Sequence, residues 1–364
     1  MKIDSIELFN FRNYEKGYLE FHPETNVLYG DNAQGKTNIL EGIFVCGTTK
    51  SHKGSKDREL IRIGENESHI RMKMTKKGIC HKVDMHLQKN KLKGIAIDGI
   101  PIRRSGELMG LINLIFFSPE DLRIIKNGPA ERRRFLNLEL CQLDRMYVHD
   151  LTEYNKVLNQ RNKLLKQIYF QPSLKETLEI WDEQLIEHGI RIIRRRQEFI
   201  EQLQDIVYET NRKLTGGKET LRVMYEPDVD PAVWPQRLQQ NLEKDLKTCT
   251  TNSGPQRDDL IFLNGDVDLR KYGSQGQQRT CALSLKLAEI ELVKKLIGDE
   301  PVLLLDDVLS ELDRNRQNYL MDSLHGIQTI ITCTGLEEFI DSRMTLNRVF
   351  RVVDGTVTME VTRR

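Results

Sequence analysis

The sequence predicts an α/β fold that combines a buried parallel sheet, an antiparallel β meander and an inserted pair of long helices. Residues 26–29 are a short apolar run that leads into a glycine-rich loop and then into apolar residues at helical spacing. Between residues 69 and 102, apolar and polar side chains alternate in runs separated by Gly, Asn and Asp turns, which is typical of hairpins. From about residue 130 to residue 215, apolar residues instead recur every three or four positions, which favours long helices.

The composition is that of an ordinary globular protein. Of 364 residues, 38% are hydrophobic and 30% are charged, which is enough to bury a sizeable core in one large domain or in two to three lobes. No apolar run approaches the ~18 residues of a membrane span, and residues 1–5 lack the apolar core of a secretion signal, so we expect a cytoplasmic protein. The six cysteines form no CxxC pair, which argues against a zinc ribbon or a dithiol redox motif.

The glycine-rich loop fits the pattern G-x-x-x-x-G-K-[ST], which binds nucleotide phosphates. Its residues are Gly30, Asp31, Asn32, Ala33, Gln34, Gly35, Lys36 and Thr37. The glycines permit backbone angles at which consecutive N–H groups turn towards phosphate oxygens, and the following helix adds its positive end. Lys36 supplies a cation for the β- and γ-phosphates, and Thr37 supplies a hydroxyl for Mg²⁺. The alternative is a chance match in a glycine turn, which the flanking strand and helix disfavour.

A second nucleotide-binding motif follows the apolar run 302–305. Asp306 and Asp307 end this predicted strand, and the carboxyl end of such a parallel strand lies beside the phosphate loop in nucleotide-binding sheets. We assign Asp306 to Mg²⁺ and Asp307 to the orientation of the attacking water, and Lys36 completes the catalytic set. The alternative is an acidic loop that merely follows a core strand.

A polar, glycine-containing helix start lies 32 residues before Asp306 (306 − 274). It comprises Ser274, Gln275, Gly276 and Gln277, and N–H groups at a helix N-terminus can bind an anion. One chain cannot wrap this segment and the phosphate loop round one γ-phosphate if they lie on opposite sides of the core. Two copies facing head to tail could do so, with Lys36 of one chain and Ser274 of the other at each nucleotide. The alternative is an ordinary helix cap.

The helical region is expected to form two antiparallel helices. The first begins near residue 130 and ends at residues 171–172. The second begins with a capping box at residues 173–176 and ends at the glycine pair 216–217. About forty residues of helix would span about 60 Å.

The order of these motifs resembles that of the ATP-binding-cassette heads of chromosome-maintenance and Rad50 proteins, and more closely that of the RecF family of recombination mediators. The likeness covers nearly the whole chain, and its most specific segments are residues 10–14, 119–122, 128–129, 132–136, 304–307 and 310–313. It implies an ABC-type ATPase domain in residues 1–110 and 250–364, with the meander at about 66–105. Residues 111–249 would form a helical arm or lid domain.

The resemblance also implies a function. The protein would be a weak ATPase that uses ATP and Mg²⁺ as a switch and forms a homodimer on binding ATP. It would bind single- and double-stranded DNA at gaps and help to load the recombinase RecA, with RecR and RecO as partners. Arg12 and Thr332 would be further nucleotide-binding residues, with Thr332 or Thr334 replacing the usual γ-phosphate-sensing histidine. Asp307 stands where transporters carry Glu, which fits slow hydrolysis.

Basic residues are the candidates for contact with DNA phosphates. The net charge is only +1, but residues 71–93 contain eight Lys/Arg and a single acidic residue. The candidates are Lys53, Lys56, Arg58, Lys73, Lys76, Lys77 and Arg132, together with Arg133, Arg134, Arg194, Arg195 and Arg196. For each of them, a solvated face or a charge pair on a helix is the alternative.

Two other functions fit the same motifs. An ABC-type assembly or transport ATPase would dock a protein on its helical arm, and DNA would not change its ATPase rate. A metabolic P-loop kinase would transfer phosphate to a small acceptor, and the segment 274–277 would then have no role.

Overall fold

A computed structural model describes residues 1–336 and 345–360 of the chain. The chain divides into two compact units: Met1–Asp121 together with Leu285–Arg364 forms the first, and Leu122–Ser284 forms the second. These boundaries differ from those expected after residues 110 and 249.

Strand pairing explains both differences. Leu114–Phe117 pairs in parallel with Val302–Asp306, so the residues just after 110 belong to the first unit. Asp259–Asn264 pairs with Leu221–Glu226, so the residues just after 249 belong to the second.

The described elements can be given in chain order. The strands are β1 (Lys2–Phe11), β2 (Tyr14–Glu20), β3 (Thr25–Tyr29), β4 (Glu67–Lys76), β5 (Ile79–Gln88), β6 (Gly94–Ile97), β7 (Ile100–Pro101), β8 (Leu114–Phe117), β9 (Leu221–Glu226), β10 (Asp259–Asn264), β11 (Val267–Asp268), β12 (Val302–Asp306), β13 (Thr329–Cys333), β14 (Arg348–Val353) and β15 (Thr356–Glu360). The α-helices are α1 (Lys36–Thr48), α2 (Asp57–Leu60), α3 (Leu122–Lys126), α4 (Pro129–Leu143), α5 (Arg145–Phe170), α6 (Leu178–Thr215), α7 (Trp234–Gln240), α8 (Leu242–Thr248), α9 (Leu269–Tyr272), α10 (Gln275–Ile297) and α11 (Arg314–Ser323). Among these helices, none combines the length and the apolar character needed to cross a membrane.

The first unit contains a six-stranded sheet with the order β15-β14-β3-β13-β12-β8. Neighbouring strands from β14 to β8 are parallel, and β15 pairs with β14 antiparallel. Parallel strands are usually covered on both faces, which explains the unbroken apolar runs at residues 114–117 and 302–305. Because β3, β12 and β13 run in the same direction, their carboxyl ends lie at one edge of the sheet.

The expected antiparallel meander forms the second sheet of this unit, with the order β2-β1-β4-β5-β6-β7. Along β4, exposed and buried side chains alternate in step with the polar and apolar residues of the sequence. The buried set faces the core of the unit, and the polar set forms an exposed face.

Helix α1 packs against both sheets and is buried along most of its length. A Cβ atom on Gly42 would lie 2.9 Å from the side chain of Leu8 in the antiparallel sheet. A Cβ atom on Gly47 would lie 2.4 Å from the side chain of Leu114 in the parallel sheet. The helix is thus buried on two faces, because one sheet covers each of them.

The second unit contains the two expected long helices, α5 and α6, which pack against each other. A helix begins near residue 130 as predicted, namely α4 at Pro129. The prediction that it continues unbroken to residue 171 is wrong, because Asp144 interrupts the run in an extended conformation (φ −135°, ψ 111°). The Asp144 side chain accepts a hydrogen bond from the N–H of Met146 at 2.8 Å, so α4 ends and α5 begins there. The second helix begins at Leu178 because Pro172–Thr177 forms a 3₁₀ helix in place of the predicted capping box.

Buried arginines join the elements of the second unit. Arg132 is 1% exposed and donates to both carboxylate oxygens of Asp259, at 2.5 and 3.0 Å. Arg196 is 2% exposed and donates to Asp258 at 2.6 Å. The prediction that Arg132 and Arg196 contact DNA phosphates is therefore wrong, because both guanidinium groups are enclosed by protein and paired with aspartates of the same unit.

The substitution Arg196→Met tests this ion pair. It leaves the Asp258 carboxylate buried without its cation, so we expect the free energy of unfolding to fall by about 3–5 kcal/mol. Urea unfolding followed by circular dichroism measures the change. Arg194→Met, on the exposed side of the same helix, is the matched control and should change stability by less than about 0.5 kcal/mol. Equal stability of the two variants would contradict the assignment.

Candidate nucleotide site

The phosphate loop connects β3 to α1, and the two glycines of its motif occupy positions that exclude other residues. Gly30 has a φ of 149° and Gly35 a φ of 111°, in the region that favours glycine. A Cβ atom on Gly30 would lie 2.3 Å from the carbonyl oxygen of Val352, and one on Gly35 would lie 2.5 Å from Nδ2 of Asn13. Close backbone packing therefore requires glycine here, in addition to the turn itself.

Lys36 begins α1 and is 7% exposed. Its ammonium group donates to the carbonyl oxygens of Gly30 at 2.5 Å and Asp31 at 2.8 Å, so the charge lies within the loop. The residues at the crest of the loop are exposed, namely Asp31, Asn32 and Ala33. An enclosed cation beneath an exposed crest at a helix N-terminus is the arrangement that binds phosphate groups.

Two segments from opposite ends of the chain hold the loop in place. Asn13 Nδ2 donates to the carbonyl oxygen of Gln34 at 3.0 Å, and the Tyr14 hydroxyl donates to the carbonyl oxygen of Gly35 at 3.1 Å. The N–H groups of residues 354 and 355 donate to Gln34 Oε1 at 2.7 Å and to its carbonyl oxygen at 3.1 Å. Sequence reasoning missed both supports. Residues 13–14 belong to the segment 10–14 that carries the family resemblance. Residues 354–355 are an Asp-Gly pair, which indicates a hairpin turn but not a contact with the loop.

Asp306 connects the phosphate loop with the parallel sheet. Its Oδ1 atom accepts hydrogen bonds from the hydroxyls of Thr37 and Thr332, each at 2.8 Å. Burial raises the pKa of the Asp306 carboxyl above its ordinary value, although both hydroxyls and the charge of Lys53 oppose the shift. A carboxylate and a hydroxyl converge here, and Mg²⁺ prefers such oxygen ligands. The residues present therefore fit the predicted Mg²⁺ site.

Asp307 adopts a φ of 54°, a left-handed conformation that is uncommon outside glycine. Its N–H donates to the Thr332 hydroxyl at 3.0 Å. Its Oδ1 atom is buried and has no hydrogen-bond partner among the residues that the structure describes. The backbone thus holds a second carboxylate beside Asp306 with one oxygen uncommitted to the described protein.

Thr332 lies beside both aspartates. It is 1% exposed, and its hydroxyl donates to Asp306 and accepts from the N–H of Asp307. We therefore assign Thr332 to positioning the Asp306 carboxylate and the Asp307 backbone, and its contact with the γ-phosphate stays a prediction. Thr334, just beyond the end of β13, is exposed.

Arg12, also predicted at the nucleotide, pairs with Glu41 on α1. Its Nε and Nη2 atoms donate to the two carboxylate oxygens at 2.7 and 2.9 Å. Burial would raise the pKa of Glu41, but hydrogen bonds from Arg12 and Ser51 outweigh it and lower the pKa below its ordinary value. Arg12 thus anchors the turn after β1 to α1, and its contact with a nucleotide stays a prediction.

Apart from Arg133, Arg134, Arg194 and Arg195 in the second unit, the remaining predicted DNA contacts lie in the first unit. The exposed ones are Lys53, Lys56, Arg58, Lys73 and Lys77. Lys76 is half-buried, and its ammonium donates to the carbonyl oxygen of Gly110 at 2.6 Å. Lys76 therefore has a structural contact, and the exposed residues stay candidates.

The segment 274–277 lies in the second unit, at the start of α10. Ser274 Oγ accepts from the N–H of Gln277 at 3.2 Å, and Gln277 Oε1 accepts from the N–H of Ser274 at 2.9 Å. This is a reciprocal capping box, so the segment does form a helix cap, which was the alternative to an anion-binding segment. Ser274, Gln275 and Gly276 are nevertheless exposed and can face a second molecule.

Three features of the first unit define an ABC-type ATPase head. They are a phosphate loop between a parallel strand and a buried helix, an Asp–Asp strand end beside that loop, and an antiparallel sheet over the helix. This is the class of protein that the first unit represents. The chain belongs to the RecF/RecN/SMC N terminal domain family, which matches residues 2–358, and within it to the RecF family of DNA replication and repair proteins.

Individual relatives support this assignment. The chain is 60% identical over 357 residues to the DNA replication and repair protein RecF of Lachnoclostridium phytofermentans, covering 98% of this chain and 99% of that protein. A solved structure of the recombination mediator protein RecF with ATP, from the RecFOR pathway, has a TM-score of 0.93 at 37% identity and covers 99% of this chain and 98% of its own. An Smc head bound to the C-winged helix domain of ScpA has a TM-score of 0.57 at 14% identity, covering 99% of this chain and 97% of its own, and shares the fold alone. The expected fold class and family resemblance are confirmed.

The substitution Asn13→Ala tests the support of the phosphate loop. It removes the amide that fixes the Gln34 carbonyl, so the loop loses a constraint worth about 1 kcal/mol. We expect the affinity for a fluorescent ATP analogue to fall about five- to tenfold. Asn90→Ala, in an exposed turn of the meander, is the control and should bind like the wild type. Unchanged affinity in Asn13→Ala would show that the loop does not depend on this contact.

Proposed function

We propose that this protein is an ATP-dependent DNA-binding protein of recombinational repair and replication maintenance, acting in the cytoplasm. The observation that carries the proposal is the 2.8 Å hydrogen bond between Thr37 and Asp306, which joins the two predicted nucleotide motifs across 269 positions of sequence. The solved relative named as a recombination mediator with ATP supports the choice of ATP and of this pathway.

The site suits slow hydrolysis of ATP. Thr37 and Asp306 would hold Mg²⁺, which when bound supplies positive charge at the β- and γ-phosphates. Lys36 would bind the same phosphates from within the loop, and the uncommitted oxygen of Asp307 would orient the attacking water. Because an aspartate reaches one methylene less far than the usual glutamate, a weak ATPase that acts as a switch is the expected activity.

Dimerisation on ATP is the second part of the proposal. The exposed start of α10 offers N–H groups and the Ser274 hydroxyl to an anion. Each nucleotide would lie between Lys36 of one protomer and Ser274 of its partner. The triphosphate itself would then complete the interface, and hydrolysis would weaken it.

Single- and double-stranded DNA at gaps is the proposed ligand, and loading of RecA is the proposed outcome. The RecFOR pathway named for the solved relative supports RecR and RecO as partners. The exposed lysines of the first unit supply positive charge for DNA phosphates, which favours binding that weakens as salt rises.

The substitution Ser274→Arg separates nucleotide binding from dimerisation. A bulky cation at the exposed helix start should block the partner's nucleotide while leaving the phosphate loop of the same chain intact. We expect wild-type affinity for the ATP analogue but no ATP-dependent dimer in sedimentation velocity. Lys36→Ala, which should lose both properties, is the comparison variant. A normal dimer of Ser274→Arg with ATP would contradict the shared site.

The double substitution Lys73→Ala/Lys77→Ala tests the DNA surface. Loss of two phosphate contacts should weaken binding to gapped DNA and lower the slope of log affinity against log salt by about 1.8, or about 0.9 per contact. Fluorescence anisotropy at several salt concentrations measures both quantities. Lys163→Ala/Lys166→Ala, exposed on α5, removes the same charge and is the control. An unchanged slope would exclude Lys73 and Lys77 from the interface.

A further inference from the structure

Two histidines and a glutamate meet on the exposed face of the meander, on β4 and β5. His69 and His86 are directly opposed residues of the two strands, and their rings stack with centroids 4.0 Å apart and planes inclined by 17°. Glu67 lies two positions before His69 and therefore on the same face. The cluster is built on two inner strands of a six-stranded sheet, so its backbone frame is fixed on both sides.

The Nε2 atoms of the two histidines lie close to the carboxylate of Glu67. His86 Nε2 lies 2.9 Å from Glu67 Oε2, and His69 Nε2 lies 3.9 Å from Glu67 Oε1. One ligand atom from each of the three residues can be chosen so that all lie within 4.8 Å of one another. Ligands of a tetrahedral ion bound at about 2.0–2.1 Å lie about 3.3 Å apart. The exposed side chains therefore have to rotate, and the two stacked rings have to splay apart, for all three residues to contact one ion.

The donor set selects the class of ion. Imidazole nitrogens suit zinc and its neighbours among the transition metals, whereas Mg²⁺ and Ca²⁺ prefer oxygen ligands. Two imidazoles and one carboxylate leave a fourth tetrahedral position for water. The cluster thus differs in chemistry from the site at Thr37 and Asp306.

The neighbours of the cluster are compatible with a bound cation. Gln88 Nε2 lies 3.5 Å from Glu67 Oε2, where it can orient the carboxylate. Arg71, two positions after His69 on the same face, is paired with Asp84 at 2.5 Å and with Glu7 at 3.4 Å, and Asp84 is shared with Lys82 at 3.1 Å. The two carboxylates thus offset the positive charge next to the cluster.

We propose that Glu67, His69 and His86 bind one divalent transition-metal ion of the zinc class. The ion joins β4 to β5 across their exposed face and stabilises the meander by binding the folded chain in preference to the unfolded one. A hydrogen-bonded group of surface side chains with no metal affinity is the competing interpretation.

The test uses the full chain without nucleotide, in excess Mg²⁺ so that oxygen sites are occupied. Zn²⁺ is titrated against a chromophoric chelator, and Co²⁺ is added separately to record the visible spectrum of bound cobalt. We expect about one Zn²⁺ per chain, a Co²⁺ spectrum with nitrogen ligands, and a rise in unfolding temperature with Zn²⁺. The double variant His69→Ala/His86→Ala should bind Zn²⁺ at least tenfold more weakly and lose the thermal shift.

Two further variants keep the test decisive. His81→Ala removes a histidine of the same strand that pairs with Asp98 at 2.8 Å outside the cluster, and it should bind Zn²⁺ like the wild type. Glu67→Gln removes a ligand charge with the least change of shape, so weaker Zn²⁺ binding by this variant cannot be attributed to misfolding if its circular dichroism is unchanged. Because Cys80 is an exposed thiol on β5, the titration is repeated with Cys80→Ser.

Three results would overturn the proposal. They are the absence of Zn²⁺ binding in the wild type, equal affinity in the wild type and the double-histidine variant, and loss of binding in Cys80→Ser alone.

Discussion

The parallel alignment of β3, β13 and β12 is the constraint on which the candidate site depends. Register places Asp306 opposite Thr332 and Cys333 opposite Tyr29, so the ends of the three strands meet at one edge of the sheet. The phosphate loop begins at that edge, and Thr37 on the first turn of α1 lies within 2.8 Å of Asp306. A shift of one residue in either strand pair would turn these side chains to the other face of the sheet.

Close packing extends this constraint to the rest of the first unit. Gly42 and Gly47 let α1 approach both sheets, and Gly30 lets the loop pass against the backbone of β14. The loop is further held by Asn13 near one end of the chain and by the turn at residues 354–355 near the other. The site therefore depends on segments from both ends of the sequence, which explains why the family match spans residues 2–358.

Charge has two different uses in this chain. Arg132 and Arg196 are buried and are paired with Asp259 and Asp258, because an unpaired charge in the interior would be costly. Lys73 and Lys77 are exposed to solvent and are available to an anionic partner. A count of basic residues does not separate the two uses, and burial does.

The sequence by itself determined the strand–loop–helix context of residues 26–44, the Asp–Asp strand end, the meander and the existence of two long helices. Each of these features follows from a local pattern of glycines or apolar residues. It did not determine the break at Asp144, since a single capping aspartate is indistinguishable from a surface residue within a helical stretch. Nor did it determine the unit boundaries, because these depend on which strand β8 and β10 pair with. Only the tertiary structure decided that Thr332 holds the Asp306 carboxylate and the Asp307 backbone, that Arg12 anchors a turn, and that His69 and His86 face each other. Such contacts depend on strand register and burial between residues far apart in the chain.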